Sequence, residues 1–233
     1  MWIDLISQAA ASGDREAQLA LAFANQSGAG IAGNPKRALE LLRSLASAGS
    51  PLGRVLLATE LELGDPKNQR EAFELMRTSA EQGYALAQHH LGRYFELGIG
   101  TVASPVSALK WYEEAAQAEL PAACSYLGTV YAEGSLGPRD PQKAFHWYSR
   151  AAASGDGPAA ALLAKCYEDG FGTSRDLEKA VEWFTKAAER GDPFACMQLG
   201  IAYSYGRLGL PADPSKGAEY IKRAEGYTNG PPR

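Results

Sequence analysis

One spacing constrains this chain more than any other feature. Leu21, Leu57, Leu91, Leu127, Leu163 and Leu199 recur at intervals of 34 or 36 residues, each followed by Ala or Gly. Four residues before each stands a small residue: Ala17, Gly53, Ala87, Ala123, Ala159 and Ala195. Seven after each stands a glycine: Gly28, Gly64, Gly98, Gly134, Gly170 and Gly206. A period of this length is the mark of a repeat array. Offsets of −4, 0 and +4 lie on one stripe of a helix, and the small residues let a neighbouring helix come close. The glycine supplies the positive φ that ends the helix.

A second series follows in each unit. Small residues at Ala38, Ala72, Ala108, Ala144, Ala180 and Gly217 are spaced 34, 36, 36, 36 and 37 apart. Apolar pairs lie three and four residues on: Leu41-Leu42, Leu75-Met76, Trp111-Tyr112, Trp147-Tyr148 and Trp183-Phe184. Four residues before the anchors stand Asn34, Asn68, Ser104, Asp140, Asp176 and Asp213, all good N-caps. Pro35, Pro105, Pro141 and Pro214 follow four of them, at the helix position with no amide to lose. Gly49, Gly83, Gly155, Gly191 and, less cleanly, Gly226 close the second helix; Glu119 stands at that place in the third unit.

These positions predict a single repeat domain, residues 1–226, built of helix–loop–helix units of about 36 residues. The units are 14–49, 50–83, 84–119, 120–155, 156–191 and 192–226. Residues 2–13 read as the second helix of a further, partial unit, and residues 227–233 as a frayed tail. The expected fold is all-α, about thirteen helices in a right-handed α-solenoid, with each unit stabilised by its neighbours.

Composition narrows the function. The formal net charge is −4, which gives no basic field for nucleic acid or an anionic membrane. No apolar run approaches the roughly 18 residues of a membrane span. The start, Met1-Trp2-Ile3-Asp4, has no basic segment before a long apolar one, so no signal peptide is visible and a cytoplasmic location is expected. A periplasmic or secreted chain that had lost its leader would begin the same way. Three cysteines do not make a disulfide framework.

The chemical candidates reduce to structure. "KAFHWYSRAAASGD", from Lys143, sets His146 beside Trp147-Tyr148 and Arg150, yet it is one copy of the second helix, with His146 facing solvent. His89 and His90 point about 100° apart on a helix, and the residues one turn on are Arg93 and Tyr94, so no chelating pair forms. Cys166 has no histidine in a recognisable relation and reads as packing. "GIGT" at 98–101 and "GFGT" at 170–173 lack the strand and lysine of a phosphate loop; helix ends explain their glycines. No catalytic residue, metal site or cofactor is expected.

The units resemble the Sel-one-like repeat family, relatives of the tetratricopeptide repeats with a longer inter-helix loop. "AACSYLGTVYAEGSLGPRDPQKAFHWYSRAAASGD" follows that pattern almost position by position, and the resemblance is strongest from 84 to 209. The second unit departs from it: its loop, "GDPKN", is two residues short. The resemblance implies a non-catalytic scaffold or adaptor that binds a protein or peptide in a concave groove lined by the first helices.

Offsets −5, −2, +2, +5 and +6 from the leucine then give the groove residues. They are His89, Arg93, Glu96 and Leu97, then Ser125, Thr129 and Glu133, then Lys165, Glu168 and Asp169. Leu19, Phe23, Val55, Thr59 and Glu62 extend the row at one end; Phe194, Met197, Ile201 and Tyr205 extend it at the other. Basic or amide groups of a partner would meet Glu133, Glu168 and Asp169. Phe194, Met197 and Tyr205 fit an end cap or an inter-subunit patch equally well. The resemblance carries two other roles: an immunity protein that neutralises a bacterial toxin or effector, and a β-lactam-binding or hydrolysing protein. The last belongs to relatives with two bridging cysteines per repeat, and no unit here has two.

Overall fold

The computed structural model describes residues 2–29 and 32–228. Among them are thirteen α-helices, one short 3₁₀ turn at Pro66–Asn68 and no strand. The first helices of the units are α2 (Arg15–Ser27), α4 (Pro51–Leu63), α6 (Ala85–Leu97), α8 (Pro121–Glu133), α10 (Gly157–Asp169) and α12 (Pro193–Tyr205). The second helices are α3 (Pro35–Ser47), α5 (Gln69–Glu81), α7 (Pro105–Gln117), α9 (Pro141–Ala153), α11 (Leu177–Glu189) and α13 (Pro214–Thr228). They are preceded by α1 (Trp2–Ala11), which ends at Gly13 with φ of 93°, as α3, α5, α9 and α11 end at the positive-φ glycines Gly49, Gly83, Gly155 and Gly191.

The chain forms two compact units, residues 1–115 and 116–233, with the division inside α7. In the first, α1 to α6 pack each on the next. In the second, α8 to α13 do the same. The six repeat leucines are the centre of this packing, and all are buried.

The loops follow the sequence signals closely. Asn34, Ser104, Asp140, Asp176 and Asp213 each accept a hydrogen bond from the backbone N–H three residues on. Five of the six first-helix glycines lie in the left-handed region, with φ between 64° and 76°.

The shortened second unit breaks both rules. Gly64 has φ of −85°, and Asn68 makes no side-chain cap. With two residues fewer, the chain cannot make the usual reversal. Asp65 instead caps the 3₁₀ turn by accepting from the Lys67 N–H, and α5 continues directly from that turn. The other correction lies at the carboxyl end. Gly226 does not close α13, which runs on to Thr228; residues 229–233 of the expected tail lie outside the described residues.

Glycine at the leucine +1 position has a packing role that periodicity alone does not show. A Cβ on Gly92 would lie 2.8 Å from the ring of Tyr112, and one on Gly128 would lie 2.5 Å from the ring of Tyr148. Each tyrosine ring therefore crosses its first helix at a gap in the side chains. Repeats whose second helix carries Leu42, Met76 or Phe184 have Ala22, Ala58 or Ala164 at that place.

Candidate functional site

The outward face of each first helix opposes the leucine stripe, so its residues are positioned by a buried helix back. In the unit of residues 1–115, the Arg93 guanidinium donates to the half-buried Glu62 carboxylate, pinning α6 to α4. The Tyr112 hydroxyl donates to Glu96 Oε2 at 2.7 Å. His89 lies between, its ring 5.3 Å from that of Tyr112 and 5.8 Å from that of His90. Burial, reinforced by His90 and Arg93, brings the His89 pKa down to about 4, so the imidazole is neutral near pH 7. Leu97 and Phe23 are exposed, and Leu19 and Thr59 are partly covered. Val55 is the exception to the expected face. It is 2% exposed and belongs to the core of residues 1–115.

In the unit of residues 116–233, α8 presents Ser125, Thr129 and Glu133. The Tyr148 hydroxyl donates to Thr129 Oγ1 at 3.2 Å, and Thr129 donates to the Ser125 carbonyl at 3.4 Å. Glu133 is exposed. On α10, Lys165 Nζ lies 3.1 Å from both Glu168 Oε2 and Asp169 Oδ1. The two carboxylates raise the Lys165 pKa against the opposing effect of its partial burial. Glu168 is mostly covered, while Asp169 is open to solvent. On α12, Phe194, Met197 and Tyr205 are exposed, Tyr205 the most at 76%, and Ile201 is partly covered.

The face is thus less acidic than its residue list. Glu62 and Glu168 are turned into internal ion pairs, and Glu96 takes a hydroxyl. Glu133 carries outward negative charge, and the exposed Asp169 shares Lys165 with Glu168, one cation between two carboxylates. The signal for this lay in the sequence: Lys165 stands three and four residues before Glu168 and Asp169, a spacing that pairs charges on a helix.

No group of three or more histidine, cysteine or acidic side chains stands together in a way that could hold a metal ion among the described residues. Cys124, Cys166 and Cys196 are free and buried. Burial pushes the Cys166 thiol up to about 11, the reverse of an activated nucleophile. His146 is exposed and Trp147 and Tyr148 are buried, as expected of one more copy of the second helix. In "GIGT" and "GFGT" the first glycine ends a helix, but the second does something else. Cβ atoms on Gly100 and Gly172 would fall 2.1 and 2.0 Å from the carbonyls of Gln69 and Pro141, so these loops rest against the start of the preceding second helix.

The sequence matches the Sel1 repeat over residues 15–50, 52–84, 85–120, 121–156, 157–192 and 193–225. A Sel1 repeat protein from Oxalobacter formigenes is similar at 30% identity, covering 90% of this chain and 84% of its own, with a TM-score of 0.74. A protective antigen of uropathogenic Escherichia coli with an SLR fold is similar at 26% identity and a TM-score of 0.81. That match covers 97% of this chain but 49% of the antigen, so the chain spans about half its length. An immunity protein from Pseudomonas aeruginosa shares the fold at 17% identity, covering 93% of this chain and 82% of its own, with a TM-score of 0.59.

Proposed function

The chain belongs to the Sel1 repeat family, whose members are generally protein-interaction scaffolds, and on that premise we propose that it is a non-catalytic scaffold binding a protein or peptide through the outward faces of its first helices. One observation carries this reading. The +6 position is exposed in all six first helices and holds Ser27, Leu63, Leu97, Glu133, Asp169 and Tyr205. The buried leucine six residues before it never varies. A frame that repeats while its solvent-facing row changes is a device for display.

The partner's chemistry follows from that row. On residues 116–233, Glu133 and Asp169 suit lysine, arginine or backbone N–H groups, while Met197 and Tyr205 suit apolar side chains. The secondary elements are already formed, so little ordering entropy is lost on binding. No described helix is long and apolar enough to cross a membrane.

The test is capture of partners by the tagged chain, with mass spectrometry, beside a Glu133→Lys, Asp169→Lys variant. Both side chains are exposed, so the variant should fold. Recovery of a specific partner should fall about tenfold or more, the effect of losing roughly 1.4 kcal/mol. Equal recovery would reject the face. A dedicated inhibitor is the second reading, to which the Pseudomonas immunity protein lends the shared fold alone. An inhibitor would bind one partner with sub-nanomolar affinity and abolish its activity, whereas an adaptor would bind more weakly and leave it active. A hydrolase screen that includes β-lactams should show no turnover above a denatured control.

A further inference from the structure

We infer that a cleft between α1, α2 and α3 is a receptor slot for one aromatic side chain, an indole above others, carried by a partner polypeptide. The cleft holds about 170 Å³. Ala10, Leu21 and Leu41 form its apolar wall, and Arg37, Glu40 and Ser44 stand at its mouth.

The repeat register says what this space is shaped for. Leu41 and Ser44 lie three and six residues after the anchor Ala38. In α11 those places hold Trp183 and Lys186, with the Lys186 ammonium 4.2 Å from the indole centroid. In α9 they hold Trp147 and Arg150, with the guanidinium carbon 5.2 Å from the centroid. Two copies of the unit therefore place an indole and a cation where α3 has a leucine and a serine. Both replacements are shorter, and a void is left where packed interiors normally leave none.

Size and chemistry agree on the ligand. Small-molecule sites run from roughly 300 to 1,000 Å³, so this slot suits a single ring rather than a metabolite. Arg37 brings a cation to the mouth, held 2.8 Å from Glu40. A guanidinium attracts a π face, and the Glu40 carboxylate and Ser44 hydroxyl can accept from an indole N–H. An aliphatic side chain would use neither.

The slot can be tested with no partner in hand. N-acetyl-tryptophanamide is titrated into the ¹⁵N-labelled full chain, with N-acetyl-leucinamide as the comparison probe. The tryptophan probe should give saturable shifts confined to amides of α1, α2 and α3, with a Kd on the order of 1 mM for so small a ligand. The leucine probe should bind about tenfold more weakly. Leu41→Trp fills the slot from within and should abolish the shifts while the remaining amides keep their positions. Ser44→Lys, at an exposed site, restores the cation that faces the indole in α9 and α11, so it should tighten the tryptophan probe severalfold, and it serves if Leu41→Trp fails to fold. The inference is overturned if the tryptophan probe gives no saturable shift, if both probes bind equally, if binding survives in folded Leu41→Trp, or if Ser44→Lys leaves the affinity unchanged. It rests on the scaffold reading only for the source of the ring. The Glu133 and Asp169 variants test that reading on other residues, so either can fail alone.

Discussion

Gly128→Ala is the substitution for which the structure gives the most definite cost. On helix propensity alone it should help, because alanine is favoured over glycine by about 1 kcal/mol inside a helix. The new Cβ would, however, lie 2.5 Å from Cδ1 and 2.6 Å from Cε1 of Tyr148. Carbon atoms sit comfortably at roughly 3.5–4.0 Å, so the ring must retreat by about 1 Å. Tyr148 is 4% exposed, and a ring moved within a close-packed interior disturbs its neighbours. Its hydroxyl would also leave Thr129, a bond of net value about 1 kcal/mol. Overpacking of a filled core costs about 1–3 kcal/mol. Set against the propensity gain, the net loss is about 2 kcal/mol, or a fall in melting temperature of roughly 4–8 °C for a chain of this length. The decisive measurement is a double-mutant cycle with Tyr148→Leu, which restores the alanine–leucine pairing of Ala22 and Leu42. In that background Gly128→Ala should be neutral or stabilising, giving a coupling of about 2 kcal/mol. A single variant that melts no lower than the parent, or a cycle with no coupling, would refute the reasoning.

Other expectations can be checked with standard measurements. Glu119→Gly should raise stability by about 0.5–1 kcal/mol in thermal melts, since Glu119 is held at φ of 61° and its exposed ion pair with Arg150 is worth little. Gly172→Ala should cost about 3 kcal/mol or more, because it adds left-handed strain to a 2.0 Å contact with the Pro141 carbonyl; hydrogen exchange should locate the loss at the start of α9 and the loop before α11. Cys166 should resist alkylation at pH 8 in the folded chain and react only in denaturant. His89 titrates near 4 when folded and near 6.5 when unfolded, so the unfolded chain takes up the proton first as pH falls. Its contribution is therefore complete above pH 6.5 and lost between about 6.5 and 4. A His89→Gln variant, compared with the parent in urea melts across that range, should show a shallower decline.

Most of the fold was legible in the sequence because it rests on local rules applied six times. The leucine stripe, the glycine stops and the N-caps each act within one helix or loop. What escaped depends on length or on partners far along the chain. Gly64 and Asn68 carry the right residue types, but the loop between them is too short for their usual roles. Gly100 looked like part of a helix end, and its need for glycine comes from a carbonyl 31 residues earlier, at Gln69. Val55 has the offset of a face residue and the surroundings of a core residue. At the candidate face, helical geometry identified which side chains point outward. It did not show that Glu62 is held by Arg93, because that pair joins two helices.

One small recurring contact bears on how such a chain comes apart. Arg190 donates to the Ala152 carbonyl at 3.1 Å, and Arg223 to the Ala188 carbonyl at 3.2 Å. Each of these carbonyls, at the negative end of its helix, accepts from an arginine of the next second helix or of the turn just after it, beside backbone N–H donors of its own turn. Under tension applied to the carboxyl terminus, α13 must leave first, and with it goes the clamp on α11. Loss of α11 in turn removes the contact on α9, so rupture of this stretch travels in one direction. Force–extension traces should show successive releases of about 36 residues, roughly 120 Å of chain each.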